Sequence, residues 1–186
     1  MKVIALHQEE KDIIRLAVDN NRHAQHRIYT TYSPKMLSVC RQYIKDLQQA
    51  EDIMITAFMK VFTKLKDFEH KGSFEGWIRR IMVNECISYL RVNKKMNFLE
   101  DEYYTEGTIN DVEWQLSVGE IQCLIDNLPE GYKLVFNLYI VEGYKHHEIA
   151  QMLSINEGTS KSQLSHARKM LQEQINKLKS YSNGTE

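Results

Sequence analysis

The stretch Ala50-Glu51-Asp52-Ile53-Met54-Ile55-Thr56-Ala57-Phe58-Met59-Lys60-Val61-Phe62 sets the period of the whole chain. Ile53, Ala57, Val61 and Leu65 recur at four-residue steps, with Phe58 and Phe62 beside them, so Asp46 to Leu65 reads as a helix with a wide apolar face. Upstream, His23 to Tyr32 has helical spacing and is followed by Ser33-Pro34, an N-cap and a first-turn proline that open a second helix through Lys45. Downstream, Gly72-Ser73 breaks the pattern and a helix runs from Phe74 to Val92. Residues 93–110 are polar, acidic and aperiodic, and read as a linker. After it come helices from Val112 to Leu128 (stopped by Pro129), Tyr132 to Val141 (stopped by Gly143), His146 to Leu153 and Glu157 to Leu178. No β-alternation lasts long enough for a sheet, and no internal repeat is present. The sequence therefore predicts an all-α fold of two small helical domains, 1–95 and 112–186, joined by an acidic linker at 96–111. The C-terminal domain contains a helix-turn-helix.

Composition agrees with this division. Of 186 residues, 42% are hydrophobic and 26% charged, as in a globular protein rather than a disordered or membrane one. Two prolines and eight glycines are too few for a sandwich that needs a turn every ten residues or so. No apolar run approaches the roughly 20 residues of a membrane span, and the apolar start of the chain is too short for a signal peptide. Cys40, Cys86 and Cys123 are widely spaced and odd in number, which makes neither a disulfide framework nor a zinc site and points to the reducing cytoplasm. The formal charge of -1 hides an asymmetry: +6 over residues 1–95, -9 over 96–132 and +2 over 133–186. Residues 96–132 hold nine acids and no Lys or Arg, between two basic modules suited to polyanions. On charge alone, the acidic stretch is equally well a solvated loop.

Two clusters carry chemistry. His146–Leu153, Ser154-Ile155-Asn156 and the helix from Glu157 have helix-turn-helix spacing, with Asn156 as N-cap and Ser154 where a glycine of positive φ is usual. Leu164, Ala167, Leu171, Ile175 and Leu178 form an inward stripe, while Lys161, Ser162, Ser165, His166, Lys169 and Gln172 offer hydroxyl, cationic and amide groups to a DNA groove. The same pattern fits a generic amphipathic helix. On the helix from Phe74, Trp77, Arg80, Asn84, Ser88 and Arg91 form one stripe, with Lys71 and Lys94-Lys95 at its ends. An aromatic among arginines and an asparagine suits single-stranded nucleic acid. Trp77 as a core residue, with ordinary surface arginines, is the competing reading. There is no phosphate loop and no nucleophile elbow, so the sequence predicts neither catalysis nor a cofactor. His23 and His26, and His146-His147-Glu148, read as surface residues rather than metal ligands.

These segments together resemble a known family. Ala50–Phe62 looks like the polymerase-binding helix of bacterial RNA polymerase sigma factors. Gly72-Ser73-Phe74-Glu75-Gly76-Trp77-Ile78-Arg79-Arg80-Ile81-Met82-Val83-Asn84 is similar to the promoter-melting region of their extracytoplasmic-function (ECF) type. Leu128-Pro129-Glu130, Glu148-Ile149-Ala150 and Glu157-Gly158-Thr159-Ser160-Lys161-Ser162 resemble its promoter-reading domain. The resemblance implies a protein that binds core RNA polymerase through Asp52, Ile53, Thr56 and Phe58. It would meet the minus-ten strand with Lys71, Ser73, Trp77, Arg80, Asn84, Ser88 and Arg91. It would read the minus-35 duplex with Lys161, Ser162, Gln163, Ser165, His166 and Lys169. An anti-sigma factor is the further partner implied. Members commonly carry Gln-Glu where Ile55-Thr56 stand, an aspartate at Ser88 and an arginine at His166. The rivals are a stand-alone helix-turn-helix regulator, which leaves the Trp77–Arg91 stripe without a role, and a helical nuclease, for which the sequence offers no site.

Overall fold

The computed structural model describes residues 2–93 and 117–182, and the chain divides into two compact units, Met1–Asn93 and Lys94–Glu186. The expected linker at 96–111 and the start of the expected helix at Val112 lie outside the described residues. Every regular element among the described residues is helical.

The N-terminal unit contains α1 (Lys2–Val18), α2 (Arg22–Tyr43), α3 (Leu47–Thr63), a 3-10 turn at Leu65–Asp67 and α4 (Phe74–Asn93). Its core is the inward faces of all four helices, including Ile14, Ile28, Met36, Ala57, Val61, Ile78 and Met82. Caps set the register of the entries. The Asn21 side chain accepts from Ala24 N at 3.1 Å to start α2, and Asp46 accepts from Gln49 N at 2.8 Å to start α3.

The expected break at Ser33-Pro34 does not occur. Pro34 sits inside a continuous α2, although an interior proline costs about 3 kcal/mol. Buried residues on both sides of it, Ile28 before and Met36, Val39 and Cys40 after, pack into the same core, and that packing outweighs the lost hydrogen bond. Pro34 itself is exposed, so water reaches the backbone it leaves unbonded. The fourth helix of the unit is instead α1, which buries Ile14 and Ala17 and is tied to α2 by a Tyr32 hydroxyl donating to Glu10 at 2.6 Å.

The C-terminal unit contains α5 (Val118–Asp126), α6 (Glu130–Phe136), a π turn at Asn137–Val141, α7 (His146–Leu153) and α8 (Glu157–Ser182). A capping box starts α5: Ser117 Oγ accepts from Glu120 N, and the Glu120 carboxylate accepts from Ser117 N at 2.9 Å. Leu128, Tyr132, Ala167 and Leu171 form one buried cluster, with Leu124, Ile125, Phe136 and Met170 packed on it, and Val135, Leu138 and Ile149 are fully buried besides. Lys133 is buried in α6 and forms an ion pair with Asp126 of α5.

Candidate nucleic-acid interface

In the N-terminal unit the outer face of α4 presents Arg80, Asn84, Ser88 and Arg91 to solvent, three or four residues apart and therefore in one row. The acids of the same helix are drawn sideways: Glu75 pairs with Lys35 of α2 at 2.8 Å, and Glu85 with Lys60 of α3 at 2.6 Å. The two arginines thus dominate the charge of the row. Ser88 donates its hydroxyl to the Asn84 carbonyl at 2.8 Å, and the Asn84 amide remains at the surface.

Trp77 combines the two readings of its sequence. It is half-buried, stacked on Phe74 with ring centroids 5.8 Å apart and planes 14° apart, and 5.4 Å from Phe68. The indole is held by these two core rings yet keeps part of its surface in solvent, which is compatible with a stacking role. Ser73, expected at the DNA strand, is the helix cap: its hydroxyl accepts from Gly76 N at 3.2 Å. Lys71 pairs with Glu69 at 2.6 Å while remaining largely exposed, so the pair is weak and exchangeable.

The polymerase-facing assignments divide. On α3, Asp52 and Thr56 are exposed, but Ile53 and Phe58 are buried, at 7% and 2% exposure. Phe58 meets Tyr29 edge-on at 4.9 Å. Ile53 and Phe58 therefore hold α3 in its own domain and are not part of an outward surface. In their place the fold exposes Ile55 and Met59, at 51% and 63%, in one row with Asp52 and Thr56. The signal was present in the sequence as the apolar residues left over once the Ile53–Ala57–Val61–Leu65 stripe is assigned to the core.

In the C-terminal unit the turn between α7 and α8 is built by the backbone of Ser154 and the side chain of Asn156. Ser154 takes φ 57°, ψ 43°, the left-handed conformation usual for glycine. Ile155 N–H then closes on the Ala150 carbonyl at 3.0 Å. Asn156 Oδ1 accepts from Thr159 N at 2.6 Å and from the Thr159 hydroxyl at 3.0 Å, which caps α8.

Along α8, Leu164, Ala167, Leu171 and Ile175 point inward as expected, while Leu178 is 41% exposed, so the apolar stripe ends one turn early. The helix packs against both α6 and α7, which buries more of its circumference than one stripe. Three expected base-reading residues are affected. Ser162 is buried and donates to the Thr159 carbonyl at 3.0 Å, Gln163 is 1% exposed, and His166 is half-buried, stacked on Tyr132 at 5.5 Å and 15°. The outward row is Lys161, Ser165, Lys169 and Gln172, with Lys161 and Lys169 the most exposed. Lys161 pairs with Glu157 at 2.7 Å, and its hydrogen bond lowers the Glu157 pKa.

A polar link that sequence reasoning did not find joins the two helices of the motif. Fully buried Ser160 of α8 lies 2.9 Å from His146 Nδ1 of α7. The His146 ring stacks on Tyr139 at 4.5 Å, and the Arg168 guanidinium lies 5.9 Å from the same Tyr139 ring. Burial, with Lys161 and Arg168 nearby and opposed by Glu157, lowers the His146 pKa below its usual value. Among the described residues no group of three His, Cys, Asp or Glu side chains could hold a metal ion, and no helix is long and apolar enough to cross a membrane.

Comparison with known proteins follows the same division. The Sigma-70 region 2 family matches residues 28–96, and the Sigma-70 region 4 family matches residues 119–171. The chain is 25% identical over 183 residues to the ECF RNA polymerase sigma-E factor of Haemophilus influenzae, spanning 91% of this chain and 96% of that protein. It is 27% identical over 165 residues to the ECF RNA polymerase sigma factor SigW of Bacillus subtilis, spanning 81% of this chain and 88% of that one. Its fold is similar to the sigma factor RpoE of Bartonella quintana, solved in complex with the anti-sigma factor NepR. That match has a TM-score of 0.51 at 22% identity and covers 81% of this chain and 96% of that one. The region 2 match contains the arginine–asparagine row of α4 and the region 4 match contains the α7–α8 motif, so the chain belongs to the sigma-70 family of bacterial RNA polymerase sigma factors, in its ECF group.

Proposed function

We propose that this protein is a promoter-specificity subunit, which docks on core RNA polymerase, reads the minus-35 duplex with α7–α8 and holds the opened minus-ten strand on α4. The observation that supports this is a pair of chemically different exposed surfaces, one in each family-matched unit. The cationic, amide-bearing row with its half-exposed tryptophan suits unstacked bases, and the capped helix-turn-helix suits a major groove. The exposed Asp52–Ile55–Thr56–Met59 face of α3 is the docking surface for polymerase. Base contacts on α8 come from Lys161, Ser165, Lys169 and Gln172, and Ser162, Gln163 and His166 shape the helix from behind. The subunit performs no chemistry; polymerase does. It works where chromosome and polymerase are, in the cytoplasm, and its further partner is a protein anti-sigma factor, such as the one bound to the sigma factor RpoE in the solved complex.

The test is transcription in vitro with purified core polymerase and a genomic promoter library. The protein should direct discrete transcripts that core polymerase alone does not make. Asn84→Ala should keep closed complexes yet lose permanganate-reactive thymines around the minus-ten element. No co-elution with core polymerase, or undiminished opening by the Asn84 variant, would count against the assignment.

A further inference from the structure

His146 and Ser160, joined across the α7–α8 motif, take no part in the surfaces assigned to promoter or polymerase. Ser160 is 0% exposed and stands on α8 immediately before the outward-facing Lys161. Its hydroxyl lies 2.9 Å from Nδ1 of His146, the first residue of α7. The His146 ring stacks on Tyr139 of the π turn, with centroids 4.5 Å and planes 23° apart, and the Arg168 guanidinium of α8 lies 5.9 Å from the same Tyr139 ring. The two elements packed on α7 therefore both hold the imidazole, α8 through Ser160 and the π turn through Tyr139. The other buried residues of the two helices are largely apolar: Ile149, Ala150 and Leu153 on α7, Leu164 and Ala167 on α8. Apolar burial is non-directional, so it holds the helices together without fixing how α8 is turned about its own axis. A hydrogen bond has a preferred distance and direction, and this one fixes that turn at the end of α8 from which Lys161 emerges.

We propose, on the reading of α7–α8 as the minus-35 reader, that His146 is a positioning residue which sets the rotation of α8 through Ser160 and does so only as the neutral imidazole. In either tautomer the neutral ring offers Ser160 a partner at Nδ1, as a lone pair or as an N–H. Protonation instead places a charge on a half-buried ring, with Lys161 and Arg168 of α8 repelling it and Glu157 of α8 opposing them. The π turn presents the Tyr139 ring to it. On its own helix the charged or titratable neighbours are His147 and Glu148, with Lys145 at the N-cap, and the Glu148 carboxylate is engaged by the Lys145 N–H at 2.7 Å. The positive end of the α7 dipole adds to the repulsion. The charged ring therefore turns toward water, Ser160 stays buried without its partner, and α8 loses the contact that fixed its rotation. The free ring's ordinary value is about 6.5, and burial, Lys161 and Arg168 hold the folded one below it, so positioning is complete above about 6.5 and is lost as pH falls through the folded pKa.

The experiment uses holoenzyme assembled from the full chain and core polymerase. The probes are a promoter duplex recovered by the transcription assay and the same duplex with its minus-35 segment scrambled. The ratio of the two affinities is followed by competition from about pH 7.5 to about pH 5.5, a range that spans the ordinary imidazole value. At the upper end His146→Ala and Ser160→Ala should each lower the ratio roughly five- to tenfold, and the double variant no further, because both remove the same bond. On acidification the unsubstituted protein should lose a similar factor. His146→Asn, whose amide stands in the place of Nδ1 and does not titrate, should keep its ratio at both ends of the range. A side chain that only supported the fold would not give this split between histidine and asparagine. Circular dichroism at both ends confirms that each protein is folded. Should either alanine variant unfold, the comparison of the unsubstituted protein with His146→Asn decides. The proposal is overturned if His146→Asn follows the pH profile of the unsubstituted protein, if promoter preference rises on acidification, or if the folded alanine variants keep full preference. Absence of promoter preference at every pH would instead overturn the minus-35 reading itself, and this proposal with it.

Discussion

Ser154 and His146 carry the two residue-level costs of the helix-turn-helix. Ser154 holds a left-handed conformation that costs a residue with a Cβ about 1 kcal/mol, and its side chain is exposed. Ser154→Gly should stabilise the C-terminal unit by roughly 0.5–1 kcal/mol, read by urea denaturation; a loss of stability would show that the serine side chain itself supports the turn. His146 works in the other direction. Burial, Lys161 and Arg168 depress its folded pKa, so the folded unit prefers the neutral ring. Its contribution is complete above the unfolded value of about 6.5 and is lost as pH falls from there through the folded pKa. Stability of the unit should therefore decline on acidification below about 6.5, and His146→Gln should flatten that part of the profile. An unchanged profile in the variant would assign the decline to other groups.

At the scale of single helices, α3 separates residues that hold the domain from residues that offer a surface. Phe58 is 2% exposed and packs on Tyr29, so Phe58→Ala should cost about 3–5 kcal/mol and lower the melting temperature steeply. Ile55 and Met59 leave half or more of their surface in water. Replacing both with Ser should change stability by less than about 1 kcal/mol while weakening core polymerase binding in a pull-down titration. If the double variant binds polymerase undiminished, the docking surface lies elsewhere. The same distinction applies to α8, where Lys161 and Ser165 face outward and Gln163 faces the core; truncating Gln163 acts through folding rather than through contact with a base.

For the molecule as a whole, charge distribution is the controlling property. Nine acids in residues 96–132 lie in the sequence between stretches of net charge +6 and +2, and would compete with promoter phosphates for the basic groups of those stretches. Individual exposed pairs are worth under about 1 kcal/mol, so the effect is collective. Converting Glu100, Asp101, Glu102 and Glu106 to Gln or Asn should raise the DNA affinity of the free protein at low salt. The gain should fade toward physiological salt, where the screening length is about 8 Å, and vanish in holoenzyme. Fluorescence anisotropy with and without core polymerase checks this, and an unchanged affinity at low salt would make the segment a passive tether. The sequence by itself determined what depends on period and local chemistry. Helical spacing placed Arg80, Asn84, Ser88 and Arg91 in one row, and the Ser154-Ile155-Asn156 turn carried its own cap and left-handed residue. Only the tertiary structure decided what depends on neighbours distant in the chain. Packing on both sides of Pro34 kept α2 continuous, where local propensity alone favours a break. The double contact of α8 with α6 and α7 buried Ser160, Ser162 and Gln163. The enclosing bundle turned Ile53 and Phe58 inward and left Ile55 and Met59 outside. A helical repeat fixes the angle at which a side chain leaves its helix, but how much of the circumference is covered is set by how many other helices arrive there.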